Sequence, residues 1–176
     1  MQKLTLFSLM IWAALAFTTG AKAQSVLQGH DTYQPLDISA ERFEIRQNPS
    51  RALFIGAVKV IQGRMTLNSE TLTVFYANEQ DSKDPKISRL DAQGKVTLVS
   101  TTESLTGDWA VYDVDEHLIT LGGDVVLTQN DNVLRGERLE FDLVSGLAKL
   151  DGQVHGKTNG RVRGRFSIPD KDKDAK

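Results

Sequence analysis

A chain of 176 residues, 40% hydrophobic and 25% charged, is long enough for one domain with an apolar core and too apolar for the disordered class. Its formal charge of −2, dispersed without a basic stripe, leaves no footprint for nucleic acid and no bulk attraction to an anionic membrane. Cysteine is absent, so no disulfide can staple the fold and stability must come from packing and strand pairing.

The first segment reads MQKLTLFSLMIWAALAFTTGAKA, with Lys3, an apolar stretch from Leu4 to about Phe17, and small residues at Ala21 and Ala23. This is the pattern of a secretory signal peptide, with cleavage expected after Ala23. The apolar stretch falls short of the roughly 20 residues that cross a bilayer, and Thr18, Thr19 and Gly20 interrupt it. An uncleaved membrane anchor is the alternative. Loss of residues 1–23 removes Lys3 and Lys22 and no acid, so 21 − 2 = 19 basic residues face 23 acids and the mature charge is −4. The expected division is a cleaved signal at 1–23, one β-domain at 24–168, and a charged, solvated tail, PDKDKDAK, at 169–176.

The domain is organised by a repeat. LTGDWAVYD from Leu105 and LRGERLEFD from Leu134 superpose at a step of 29 residues, and the same step links Gly94 to Gly123 and Gly123 to Gly152. Ile38 stands 29 residues before Leu67. Gly56 lies 38 residues before Gly94, and the nine extra residues fit a polar loop inserted at 77–86, ANEQDSKDPK. A fixed period of this length signals stacked repeats. Inside each unit the alternation has a period of two, as in Ile119, Leu121, Gly123, Val125 and Leu127, which is the signature of strands. Clusters of Gly, Asn and Asp punctuate the runs, and no segment after Gln24 carries a helical stripe.

One spacing predicts the shape. Ile38 and Phe43, Leu67 and Leu72, Leu105 and Ala110, and Leu134 and Leu139 are all five apart, and an odd step swaps faces on a straight strand. For both members to face inward the chain must turn a corner between them, at Ser39-Ala40, Ser69-Glu70, Gly107-Asp108 and Gly136-Glu137. Each repeat then supplies one strand to each of two facing walls. The array ends in unpaired strand edges, which predicts heterologous, head-to-tail association of the chain with itself. The gap between two such walls fits an ordinary side-chain core as well as a groove for an acyl chain, and periodicity leaves both open.

Chemistry of other kinds finds little support. Glu41, Glu70, Asp108 and Glu137 recur at one repeat position and could form a carboxylate ladder, but alike environments do not make an acid and a base, and a solvated corner accounts for them. Asp113, Asp115 and Asp131 read as turn residues. His30, His117 and His155 lack metal-spaced companions, and no nucleophile elbow or phosphate loop is present, so no catalytic residue, metal or cofactor is expected. Arg161, Arg163 and Arg165 alternate in GRVRGRF and suit an exposed edge strand, able to meet lipid phosphates or an acidic partner strand.

The order of QPLDI at 34–38, FIGAVKVIQG at 54–63 with the following MTLNSETLTV, SLTGDWAVYD, LITLGGDVVLTQNDNVLRGERLEFDL and GLAKLDG resembles the OstA-like family of periplasmic lipopolysaccharide-transport proteins over nearly the whole mature chain. The resemblance implies an all-β, antiparallel β-jellyroll open along one side, whose interior shelters lipid A acyl chains of lipopolysaccharide in the periplasm. It further implies partners among the inner- and outer-membrane components of the same transport pathway, met by strand-to-strand stacking. Carried over, Leu36 and Ile38 fall in the N-terminal strand that meets lipid and upstream partner. Val58, Val60, Leu67, Leu72, Val74, Val96, Leu98, Trp109, Leu121, Val125, Leu127, Leu134, Leu139 and Phe141 fall on lipid-facing strands, and each could equally be plain core. Leu36, Ile38 and the three arginines would form the partner edges. The inserted loop is longer and more acidic than the family pattern, which puts its partner role in doubt. A membrane-anchored partner in the same pathway, and a structural β-scaffold that binds protein edges without lipid, are the alternatives.

Overall fold

The structure is a computed structural model that describes residues 31, 33–47, 50–77, 86–152 and 160–167. The signal segment, most of the inserted loop and the charged tail lie outside the described residues. Among the described residues ten strands follow in chain order: β1 (Asp37–Ser39), β2 (Arg42–Gln47), β3 (Ser50–Gln62), β4 (Met65–Tyr76), β5 (Ile87–Val99), β6 (Glu103–Asp113), β7 (Leu118–Gln129), β8 (Asn132–Asp142), β9 (Ala148–Asp151) and β10 (Arg163–Arg165). They form one all-β antiparallel sheet in the order β1-β3-β4-β5-β6-β7-β8-β10, with β2 also on β3 and β9 also on β8. The long strands are neighbours in sequence and in space because tight turns such as Gly63-Arg64 and Asn130-Asp131 join them.

Every long strand bends at its middle, which folds the sheet into two walls. The register slips between Ile55 and Val58, between Gln93 and Val96, and between Gly122 and Val125. At each slip a glycine with positive φ, Gly56 (83°), Gly94 (82°) or Gly123 (75°), precedes a second left-handed residue, Ala57 (42°), Lys95 (46°) or Asp124 (45°). Two residues on β3, β5 and β7 thus oppose one on the neighbouring strand, which bends the ladder as a bulge does. The expected corners at Ser69-Glu70, Gly107-Asp108 and Gly136-Glu137 lie opposite these pairs, so the fold turns where the odd spacing requires. The strongest backbone distortion sits on the partner strands, at the glycines whose common register marks the repeat. The remaining corner falls at Ala40-Glu41, between β1 and β2, where the Glu41 amide donates to the Gly56 carbonyl at 3.0 Å.

The walls then have defined members. The first contains β1, the later halves of β3, β5 and β7, the earlier halves of β4, β6 and β8, and β10. The second contains β2, the complementary halves, and β9. The corners close one side, and the hairpin turns line the two rims of the other. Outside, charges pair along single strands, as in Arg89–Asp91 with 2.8 Å from the guanidinium Nη2 to Oδ2, and Arg138–Glu140 at 2.8 Å. Exposed pairs of this kind contribute little stability and keep the face wet.

Candidate functional site

The space between the walls is lined by continuous rows of apolar side chains, set by the cross-strand register. On the first wall the row runs Ile38, Val60, Leu67, Leu98, Leu105, Leu127, Leu134. On the second wall one row runs Ala52, Val74, Leu90, Tyr112, Ile119, Phe141, and the next Phe43, Phe54, Leu72, Ala92, Ala110, Leu121, Leu139, Leu150. Nearer the corner, Val58, Val96 and Val125 are fully buried. Of the sixteen residues carried over as lipid-facing, these rows hold fourteen on the interior side; Leu36, just before β1, packs against the same cluster as a partly buried residue.

Trp109 is the departure. It is 38% exposed and lies on the outer face, its ring over Gly122, where a Cβ would collide with it. The cause is the corner itself: the five-residue step that brings both Leu105 and Ala110 inward places residue 109 outward. Trp109 therefore covers the outside of the second wall, and Gly122 leaves room for its ring. The spacing already contained this answer.

Nineteen of the interior's apolar residues among the described residues are buried and pack as one cluster. A cavity of about 30 Å³ remains near the open side, among Leu36, Val60, Met65, Leu72, Leu90, Tyr112 and Ile119. A space of that size holds a few waters at most and is too small for an acyl chain. Polar groups mark those rims. Gln62 and Glu103 are buried; Gln62 Nε2 donates to the Gln34 carbonyl at 3.0 Å, and Gln129 Nε2 donates to Glu103 Oε1 at 2.8 Å. Ser100 Oγ, Tyr112 OH and His117 Nδ1 are buried without a hydrogen-bond partner among the described residues. Burial pushes the Tyr112 phenol up to about 12.

The ends of the rows are uncovered. Phe43 is 54% and Ile45 66% exposed, although both continue interior rows, because no strand lies beyond β2 among the described residues. Phe43 is held by the ring of Phe54 at 5.0 Å. At the other end β9 and β10 are edge strands, with Leu147 and Phe166 exposed nearby. Arg163 lies opposite Arg135, and with Val133, Gly164 and Arg165 they line a shallow recess of about 390 Å³ on this edge; Arg161 is also exposed, just before β10.

The acidic ladder occupies the outside of the corner. The carboxylates of Glu41, Glu70 and Asp108 lie where a Cβ on Gly56, Gly94 and Gly123 would stand, and Glu70 pairs with Lys95 Nζ at 3.0 Å. These acids are exposed, as a solvated corner requires. Asp113 and Asp142 serve as turn caps, the latter accepting the amides of Val144 and Ser145, both at 2.9 Å. The amide of Ser145 above all, helped by that of Val144 and the nearby charge of His117, holds Asp142 below the usual carboxylate value. The base of the inserted loop is closed by the Ala77 amide on the Lys86 carbonyl at 2.8 Å and by Lys86–Asp115 at 2.6 Å.

Two antiparallel walls, apolar between them, joined at a bulged corner and open-edged at both ends among the described residues, define a β-jellyroll. Residues 37–147 match the family model described as LptA/(LptD N-terminal domain) LPS transport protein, and the chain belongs to that lipopolysaccharide-transport family. An uncharacterised protein of Rhizobium meliloti (strain 1021) is 35% identical over 148 residues, covering 82% of this chain and 78% of its own. Among solved structures, the fold matches LptH, the LptA-homologous periplasmic component of the lipopolysaccharide transport device from Pseudomonas aeruginosa, with a TM-score of 0.68 at 18% identity. That match covers 79% of this chain and 99% of LptH.

Proposed function

We propose that this protein is an exported, periplasmic carrier that shelters the acyl chains of lipopolysaccharide between its walls and stacks head-to-tail, bridging inner- and outer-membrane components of the transport route. The observation that carries this reading is the pair of interior rows that run out of the fold at β2, leaving Phe43 and Ile45 exposed where a further strand would continue them. A second copy, or a related domain, placing its final strands against β1 and β2 extends both walls and covers those side chains. Buried acyl chains gain about 0.8 kcal/mol per CH₂ while sugars and phosphates stay in water outside the rims. Carriage of this kind needs no turnover chemistry, and directional movement comes from an energised partner. The description of LptH as periplasmic and the signal pattern before Gln24 support the location.

A photo-crosslinker at Ile38, Leu72 or Phe141 is expected to label lipopolysaccharide, with one at the exposed Lys59 as control. Labelling from Lys59 alone would exclude interior carriage. The small cavity favours one competing reading, a β-scaffold that joins protein edges around a closed core, and that reading predicts no labelling from any interior position.

A further inference from the structure

The Tyr112 hydroxyl stands out among the buried groups. The residue is 7% exposed, its strand neighbours Leu90 and Ile119 are apolar, and its oxygen has no partner among the described residues. It lines the residual cavity, where the other polar side chain is Gln62 and the surrounding surface is otherwise apolar. A buried hydroxyl left without a partner forfeits its hydration with nothing in return. Phenylalanine would fill the same space without that cost. Tyr112 lies two positions before Val114 at the rim turn, about 7 Å along a strand, so the residue sits a short way inside the open side.

We propose that Tyr112 is a polar anchor for a hydroxylated acyl chain: its hydroxyl donates to a hydroxyl oxygen carried on the chain near its headgroup end. This rests on the reading of the interior as a lipid site and deepens it. An incoming chain that parts the walls supplies the missing acceptor, while a plain hydrocarbon leaves the phenol unpaired and is discriminated against. With its pKa near 12, the phenol keeps its proton and stays a donor at neutral pH. The anchor confers selectivity between chains without adding a charge to the interior.

The test uses the full mature protein and its Tyr112→Phe variant, titrated calorimetrically with a long-chain fatty acid hydroxylated β to its carboxyl and with the unsubstituted acid of equal length. The wild type is expected to bind the hydroxylated chain about five- to tenfold more tightly, the usual value of one such hydrogen bond, and Tyr112→Phe is expected to bind both alike. Equal binding of both chains by the wild type, or a preference retained by Tyr112→Phe, overturns the anchor and leaves interior carriage intact. Failure of the wild type to bind either chain overturns interior carriage and the anchor with it. The variant's urea midpoint is expected to match or exceed that of the wild type. A lower midpoint would mean that the hydroxyl already has a structural partner and would overturn the proposal.

Discussion

Leu121→Ala tests whether the apolar rows act as a packed core. Leu121 has no exposed surface and sits between Ala110 and Leu139 in the row nearest the corner of the second wall. Removing its buried methyl-bearing branch loses transfer energy and leaves a void, and a well-packed site gives about 2–5 kcal/mol. For a domain of this size that is roughly a 10 °C fall in melting temperature. Phe43 lies in the same row at its uncovered end. With half its surface already in water, Phe43→Ala loses about half of a full burial plus the contact with Phe54, about 1–2 kcal/mol. Urea unfolding of both variants at low concentration measures the two costs. Light scattering across a concentration series adds the second contrast, since Phe43→Ala is expected to weaken association and Leu121→Ala to leave the open end unchanged. A cost below about 1 kcal/mol for Leu121→Ala, or equal costs for the two, would refute the placement of these rows.

Gly94→Ala forces an L side chain into a φ of 82° and drives its Cβ into Glu70, so it is expected to cost at least about 1–2 kcal/mol in urea unfolding; the double variant with Glu70→Gly recovers the contact part only. A neutral Gly94→Ala would show that the corner does not need this backbone. Asp142 is held below its ordinary value of 3.8, so it stabilises the fold above that pH and loses the contribution as pH falls through its folded value. The difference in melting temperature between wild type and Asp142→Asn is therefore expected to be largest near neutrality and to shrink below pH 3.8; a difference constant across that range would refute the assignment.

The sequence by itself determined the fold class, the repeat and the two walls. Strand periodicity and the five-residue steps from Leu67 to Leu72, Leu105 to Ala110 and Leu134 to Leu139 carry local geometry, because a side chain's face follows from its position along a strand. The same steps imply that Trp109 points outward, yet the family resemblance assigned it to the interior; the local pattern was the better guide at that position. The glycines at 56, 94 and 123 were visible as a register, but their part in bending the sheet depends on which strand faces them, and cross-strand pairing is not written in a single strand. Tertiary structure alone decided which side of the interior opens, and that the Tyr112 hydroxyl lies buried beside it with no partner among the described residues. Those properties depend on the distance between walls formed by residues far apart in the chain, and no spacing along the chain measures that distance.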